Sequence, residues 1–307
     1  MIAFLHFAAE HPIGPAGVAK DDRHDDGGAD QHEHLAALGR GGLLAAFPLA
    51  YALILPATYP PIIAMLLALI FRGVAFEFRW RDPRHERFWD FAFFGGSLIA
   101  ALSQGIVLGA LLQGITVEGR SYAGGWLDWL SPYSVLTGIG VVAGYALLGA
   151  TFLAMKVTGR AEDHAYRLAG RAGAATLLLM GAVSLATPFL APQYWDRWFA
   201  WPNIVFVAQV PLLTAILFFA LYRSIRARKR YQPFLLSLGL FTLGMAGLGI
   251  SMWPYAVPQS VTIWEAAAPE RSQVFLLVGT AIIMPIILAY TGWAYWVFRG
   301  KVEESYH

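Results

Sequence analysis

The sequence predicts an all-α fold, a polytopic membrane helical bundle of about eight transmembrane helices, and three observations carry that expectation. Of the 307 residues, 57% are apolar and only 14% charged, and mean hydropathy is +0.53, whereas soluble domains average about 25% charged residues. From Gly41 onward, apolar runs recur that can cross a hydrocarbon core of about 30 Å, each needing roughly 20 residues. Basic residues rise and fall between successive connections, as they do in helical membrane proteins.

The runs cover 41–57, 60–78, 89–113, 133–156, 170–190, 202–222, 233–253 and 273–298. ATYPP divides the first two, and Pro60 and Pro61 suit a tight turn that leads into a helix start, so a helical hairpin is expected there. One set of connections (79–87, 156–171, 223–230 and the tail from Arg299) holds fifteen Lys and Arg; the alternate set holds three, Arg120, Arg197 and Arg271. The positive-inside rule places the rich set in the cytoplasm, with the C-terminus and, after eight crossings, residues 1–40. The opposite side carries Trp126, Trp129, Tyr133, Trp195, Trp198, Trp201, Trp253, Tyr255 and Trp264. Amphipathic rings favour the headgroup level, so an interfacial belt is expected ahead of quinone or carbohydrate stacking.

Ionisable groups inside a bilayer are costly and mark pairs or functional sites. Arg72, in LIFRGVAFEFR, lies about two turns from the basic end of its span, with Glu77 one turn closer to water. Arg72 is expected to snorkel or pair with a neighbouring helix, and the alternative is a place on a proton path or a subunit contact. Asp90, in RFWDFAFFGGS, reads as a helix-start carboxylate favoured by the helix dipole, with proton donation as the alternative. Gln104 and Gln113 are deeper, suited to hydrogen bonds between helices or to a wet path. The pairs Gly105 with Gly109 and Gly140 with Gly144 have the four-residue spacing that lets helix backbones approach.

The eight histidines stand at 6, 11, 24, 32, 34, 85, 164 and 307, outside every run, and there is no cysteine. Intramembrane haem takes His, Met or Cys as axial ligand. Met65, Met155, Met180, Met245 and Met252 are left, and methionine in apolar helices is more often packing. The chain is therefore expected to ligate no haem or other metal. Walker loops, dinucleotide fingerprints and Ser-His-Asp orders are absent, which removes support for nucleotide-driven transport and hydrolysis. A formal charge of +2 gives no argument for nucleic acid.

Several longer strings carry a resemblance. GGLLAAFPLAYALILPATYPPIIAMLLALIFRGVAFEFR (41–79), FWDFAFFGGSLIAALSQGIVLGALLQG (88–114), SPYSVLTGIGVVAGYALLGATFLAMKV (131–157), PQSVTIWEAAAPERSQVFLLVG (258–279) and YTGWAYWVFRGKV resemble subunit II of the cytochrome bd-type quinol oxidases. The tail resembles most the cyanide-insensitive branch. The resemblance implies two four-helix-bundle-like halves plus a peripheral C-terminal helix in a bacterial inner membrane. It implies a haem-bearing subunit I as partner, holding two b-type haems and haem d and oxidising ubiquinol, with oxygen reduced to water. Subunit II supports that partner and in some members lends polar groups to proton delivery, which makes Arg72, Glu77, Asp90, Gln104 and Gln113 candidates for a proton path or the subunit interface. Activity is expected of the complex and not of this chain alone. A secondary transporter is the alternative, motivated by Gly- and Pro-interrupted stretches such as LGLFTLGMAGLGISMWP.

The family has nine spans in this subunit, and the one without a counterpart here is the first, with its Asp-Gly-Phe-Asp type and Trp-Asp-x-Asn type motifs. In their place, residues 1–40 form an atypical segment, expected to be solvated and disordered, ahead of a transmembrane domain at 41–307. DRHDDGGADQHEH (22–34) holds three histidines and five carboxylates, but His32-x-His34 lacks the i, i+4 spacing of a zincin helix. Residues from about Ala16 to Arg40 are expected to be a frame-shifted reading of the usual family sequence. His34 to Arg40 admits codons that read Thr-Trp-Leu-x-Leu-Gly-Gly one frame on, and resequencing of the locus tests this.

Overall fold

The computed structural model describes residues 44–297, so the readings made on residues 1–43, including the acidic and histidine-rich stretch and the proposed frame shift, lie outside the described residues. Eleven α-helices and two short hairpins follow one another. Helix α1 is Pro48–Ala57, α2 Tyr59–Arg81 and α3 Glu86–Gln113. The hairpin β1 (Val117–Glu118) and β2 (Ser121–Tyr122) leads to α4, Pro132–Lys156, and α5, Arg160–Ala186. Next come α6 (Pro192–Phe199), α7 (Asn203–Val207), α8 (Gln209–Arg226) and α9 (Gln232–Met252). The hairpin β3 (Tyr255–Val257) and β4 (Val261–Thr262), α10 (Ile263–Ala266) and α11 (Glu270–Val297) complete the described chain.

Among the described residues seven helices are long and apolar enough to cross a membrane, matching seven of the eight expected runs. The first run differs. Its described part, 44–57, is helical at 44–46 and, after Phe47, in α1, which has ten residues, about 15 Å of helix. Only Thr58 separates α1 from α2, fully buried, its Oγ1 donating to the Ile54 carbonyl at 2.6 Å. Ala50, Leu53 and Ala57 share one core cluster with Ile115, Val257, Val261 and Ala266. The short helix thus packs among the connections poor in basic residues.

Local chemistry explains most boundaries. Proline occupies the first turn of α1, α2, α4, α6 and α9, where its missing N–H costs nothing. Ser131 and Ser134 form a capping box at the start of α4, and α3 ends at Gly114 with φ of +92°. Arg160, ten residues before the expected start of its run, opens α5; His164 therefore lies within a helix, in its second turn.

Helices α4, α5, α8 and α9 close a ring in which each touches two others. Leu147, Ala172, Phe218, Leu221 and Leu240, drawn from all four, make its core. This is one of the expected four-helix halves. Helix α3 lies between α4 and α2 and joins the ring to α2. Gly105 and Gly109 make the α3–α4 approach possible, because a methyl group added to either would lie 2.6 Å from Gly138 Cα or Ser134 Cα. Of the second pair only Gly144 is tight, against the Phe241 ring of α9. Helix α11 stands apart, with none of its most apolar stretch buried, as a peripheral C-terminal helix should.

Candidate functional site

The five candidate polar residues occupy α2 and α3, and the structure distributes them over three levels. At the basic end, Glu77 Oε1 pairs with Arg81 at 2.9 Å, one helical turn on. Asp90 lies in the second turn of α3, because the helix begins at Glu86. Its partner is not the helix dipole alone: Arg79 Nε donates to Asp90 Oδ1 at 2.5 Å and Arg79 Nη2 to Glu86 Oε1 at 2.8 Å. Arg79 thus clamps the start of α3 to the end of α2, and its guanidinium also lies over the Trp80 ring. In the connection, His85 Nδ1 is 2.8 Å from Asp82 Oδ2. The buried Trp89 Nε1 donor beside this cluster has no hydrogen-bond partner among the described residues.

Arg72 lies farther from that end, where α2 and α3 touch. A methyl group added to Gly96 would meet the Ala68 carbonyl oxygen at 2.6 Å and the Arg72 backbone nitrogen at 3.3 Å. Asp90, Ser97 and Gln104 recur every seven residues along α3 and so share one face. Ser97 Oγ donates to the Phe93 carbonyl. Gln104 Oε1 accepts from Tyr145 Oη of α4 at 2.7 Å, yet the glutamine is exposed on the surface of the chain. Nine residues separate it from the end of α3, about 13 Å.

Gln113 closes α3 at the opposite level. Its Oε1 accepts from Ser131 Oγ at 2.5 Å and its carbonyl from Gln259 Nε2 at 3.2 Å. Tyr194 Oη donates to the neighbouring Leu112 carbonyl at 2.6 Å and Ser260 Oγ to Ile115 O. Gln113 therefore joins α3, the start of α4 and the 258–260 turn by hydrogen bonds. Tyr194 lies in α6 with its hydroxyl pKa pushed far up, mainly by burial. Tyr122, in the loop, is also raised, by burial first and then by its hydrogen bond to Asp128. Trp126, Trp195, Trp201, Trp253 and Trp264, in the connections poor in basic residues, are exposed. A cleft of about 400 Å³ opens there between Leu55, Pro56, Tyr59, Tyr122 and Trp126.

The sequence reading missed Arg79, Tyr145 and Ser131. Tyr145 lies 41 residues from Gln104, so no local spacing announces it. Arg79 was visible as a charge, but not as the clamp for Asp90. Among the described residues no group of three or more His, Asp or Glu is placed to hold a metal ion. Of the methionines, Met180 places its methyl group near Gly244 of α9, and Met245 is exposed. The stretch behind the transporter alternative is also continuous, since α9 runs unbroken from Gln232 to Met252.

Comparison with known proteins agrees with this architecture. The chain is similar to cytochrome bd-I ubiquinol oxidase subunit 2 of Escherichia coli K12, 26% identical over 301 aligned positions that cover 86% of this chain and 79% of the relative. It is likewise 26% identical to cytochrome bd ubiquinol oxidase subunit 2 of Bacillus subtilis, covering 90% of this chain and 82% of that one. The bd oxidase structure from Geobacillus thermodenitrificans shares the fold, with a TM-score of 0.60 at 18% identity over 79% of this chain and 74% of its own. The sequence profile of the cytochrome bd terminal oxidase subunit II family matches residues 37–298, and with seven apolar helices long enough to cross a membrane, the chain belongs to that family of integral membrane proteins.

Proposed function

We propose that this chain is subunit II of a bacterial terminal oxidase that couples quinol oxidation to the reduction of oxygen to water, bound to a haem-bearing subunit I. The match over residues 37–298 carries the proposal. The chain's own chemistry supports it. A glutamine exposed about 13 Å from a helix end is costly against lipid, because its amide N–H groups find no acceptor there. Gln104 has only its Oε1 engaged among the described residues, by Tyr145. A partner subunit on that face of α3 supplies the missing acceptor. Haems b and d belong to the partner in this reading.

Arg72, Glu77 and Asp90, with Arg79 and Glu86, gather polar groups at the end of α2 and α3 where the basic connections lie. We place that end and the C-terminus in the cytoplasm, on the count of fifteen basic residues against three. In this reading the Arg79–Asp90 pair sits where protons enter, and Gln104 belongs to the subunit contact. The deciding experiment is affinity purification of the chain from membranes, followed by the haem spectrum and quinol-driven oxygen uptake of what is recovered. Haem-containing material with oxygen uptake is expected. A stable chain that brings down no haem and moves solute in liposomes overturns the reading.

A further inference from the structure

Helix α8 turns one face into the four-helix ring and the other outward. Phe218, Leu221 and Ser224 are buried, while Leu212, Ile216, Phe219, Tyr222, Arg223 and Arg226 are exposed. Leu212, Phe219 and Arg226 recur every seven residues, so the apolar strip runs along one line of the helix into the two arginines of its last turn. In the ring α8 touches α5 and α9, whereas α3 packs on α4. The strip therefore lies across the ring from α3 and Gln104.

Each of these arginines is held by an aromatic ring one turn back. Arg226 Cζ lies 4.9 Å from the Tyr222 ring centre and Arg223 Cζ 5.9 Å from that of Phe219. A ring against the guanidinium face leaves the N–H edge as the binding surface, a planar fork of donors. Two other guanidiniums of this chain show such an edge occupied: Arg79, over Trp80, donates to Asp90 and Glu86, and Arg228, over Tyr166, pairs with Asp163. Arg223 and Arg226 make no ion pair among the described residues. Three residues apart on one helix face, they are neighbours whose like charges repel, and an anion shared by both relieves that repulsion.

We propose that Arg223 and Arg226, at the basic end of α8, together bind the phosphate of an anionic phospholipid whose acyl chain lies along Phe219, Ile216 and Leu212. The line from Leu212 to Arg226 is about 21 Å long, the depth of one leaflet with its headgroup layer. A free anion satisfies the guanidiniums but makes no use of the apolar strip beside them. Diffuse attraction to a charged surface makes no use of the stacked, oriented forks. A phospholipid uses both, because its phosphate accepts from the fork edges while its chain covers the strip. The site depends only on the chain spanning a membrane, so it stands or falls apart from the oxidase reading.

The test takes the complex purified from membranes, stripped of lipid in detergent and returned to phosphatidylcholine nanodiscs that contain rising amounts of phosphatidylglycerol with a photoactivatable diazirine in its acyl chain. Mass spectrometry after illumination is expected to find label between Leu212 and Phe219 at low mole fraction. For R226Q and R223Q the mole fraction giving half the labelling is expected to rise about tenfold, the scale of one lost charge-assisted hydrogen bond. R226K, which keeps the charge and loses the fork, and Y222L, which removes the ring that orients it, are expected to shift in the same direction. K229Q, which removes an exposed cation from the same end, is expected to follow the wild type. Equal behaviour of R226Q and K229Q, or of R226K and the wild type, reduces the effect to diffuse charge and overturns the site. Diazirine-bearing phosphatidylcholine labelling the strip at the same low mole fraction also overturns it. Loss of the label to inorganic phosphate at matched ionic strength makes the free ion the occupant and overturns the lipid. An unlabelled strip in the wild-type complex means that protein covers it, and the proposal fails. Should R226Q fail to assemble, Y222L against K229Q decides by the same criterion.

Discussion

Replacing Gly105 by alanine adds one methyl group at the α3–α4 crossing, and the structure says what it meets. The new carbon would lie 2.6 Å from Gly138 Cα and 2.8 Å from the Thr137 carbonyl oxygen. Ordinary contact begins near 3.4 Å, so the helices must separate by close to 0.8 Å, and both obstacles are backbone. Overpacking of this kind costs about 1–3 kcal/mol. Alanine's better helix propensity returns up to about 1 kcal/mol of that. Gly140→Ala is the matched control: the nearest atom to its methyl is Leu179 Cβ at 3.9 Å, an ordinary contact. It keeps the propensity gain without the clash. Thermal unfolding of the detergent-solubilised complex is expected to show G105A destabilised and G140A unchanged or slightly stabilised. G105A should also weaken the Gln104–Tyr145 hydrogen bond, since Gln104 precedes it on the separating helix. Equal melting of the two variants, or a stabilised G105A, refutes the argument that glycine sets this distance.

The Arg79 clamp makes a second prediction. R79Q leaves two carboxylates without their partner, but the pair is about one-third exposed at 30% and 33% of side-chain surface, so solvent screening limits the loss to about 1 kcal/mol. R79Q with D90N should lose less than the sum of the singles, and strict additivity in a double-mutant cycle refutes the coupling. A third concerns Glu265, whose pKa is lowered by the Thr262 backbone N–H first and by the Thr262 side chain second. A depressed folded pKa means the contribution is present above the unfolded value and fades as pH falls through the folded one. Protection from hydrogen exchange across β3, β4 and α10, taken relative to the intrinsic rate at each pH, should therefore fall at acid pH, most in the wild type and least in E265Q. No difference between the two refutes the capping-box account.

Hydropathy made seven of the crossings legible because it records burial in lipid, a property that each helix has alone. The first run is described only from residue 44, and in it Leu53 and Ala50 of Pro48–Ala57 share a core with Val257 and Ile115 from distant connections, a packing that hydropathy does not record. The amphipathic α6 lies in a connection between two apolar runs, and Tyr194, Trp195, Trp198 and Phe199, at helical spacing, announce it. The two hairpins have too few residues for alternation to show. Candidate residues were easier to find than their roles. A charge inside a span stands out in any sequence, but what it does depends on a partner such as Arg79, eleven residues from Asp90 across a turn, or Tyr145 on the next helix.

The placement of polarity constrains what the subunit does. Between the charged cluster at one end of α3 and the Gln113 junction at the other, its Asp90–Gln104 face carries only Ser97 and Gln104 as further seven-residue steps. Ser97 satisfies itself on the Phe93 carbonyl, 2.8 Å away. That leaves Gln104 as the one step that turns outward with hydrogen-bonding capacity in reserve. A helix meant for lipid on that face gains by leucine there, whereas a helix meant for a protein neighbour gains by an amide that can both give and take a hydrogen bond. The tight Gly105 and Gly109 crossing fixes α3 on the other side, against α4. Position and chemistry together therefore present Gln104 at a set height to whatever covers it. A partner subunit's helix can use that amide, and lipid cannot.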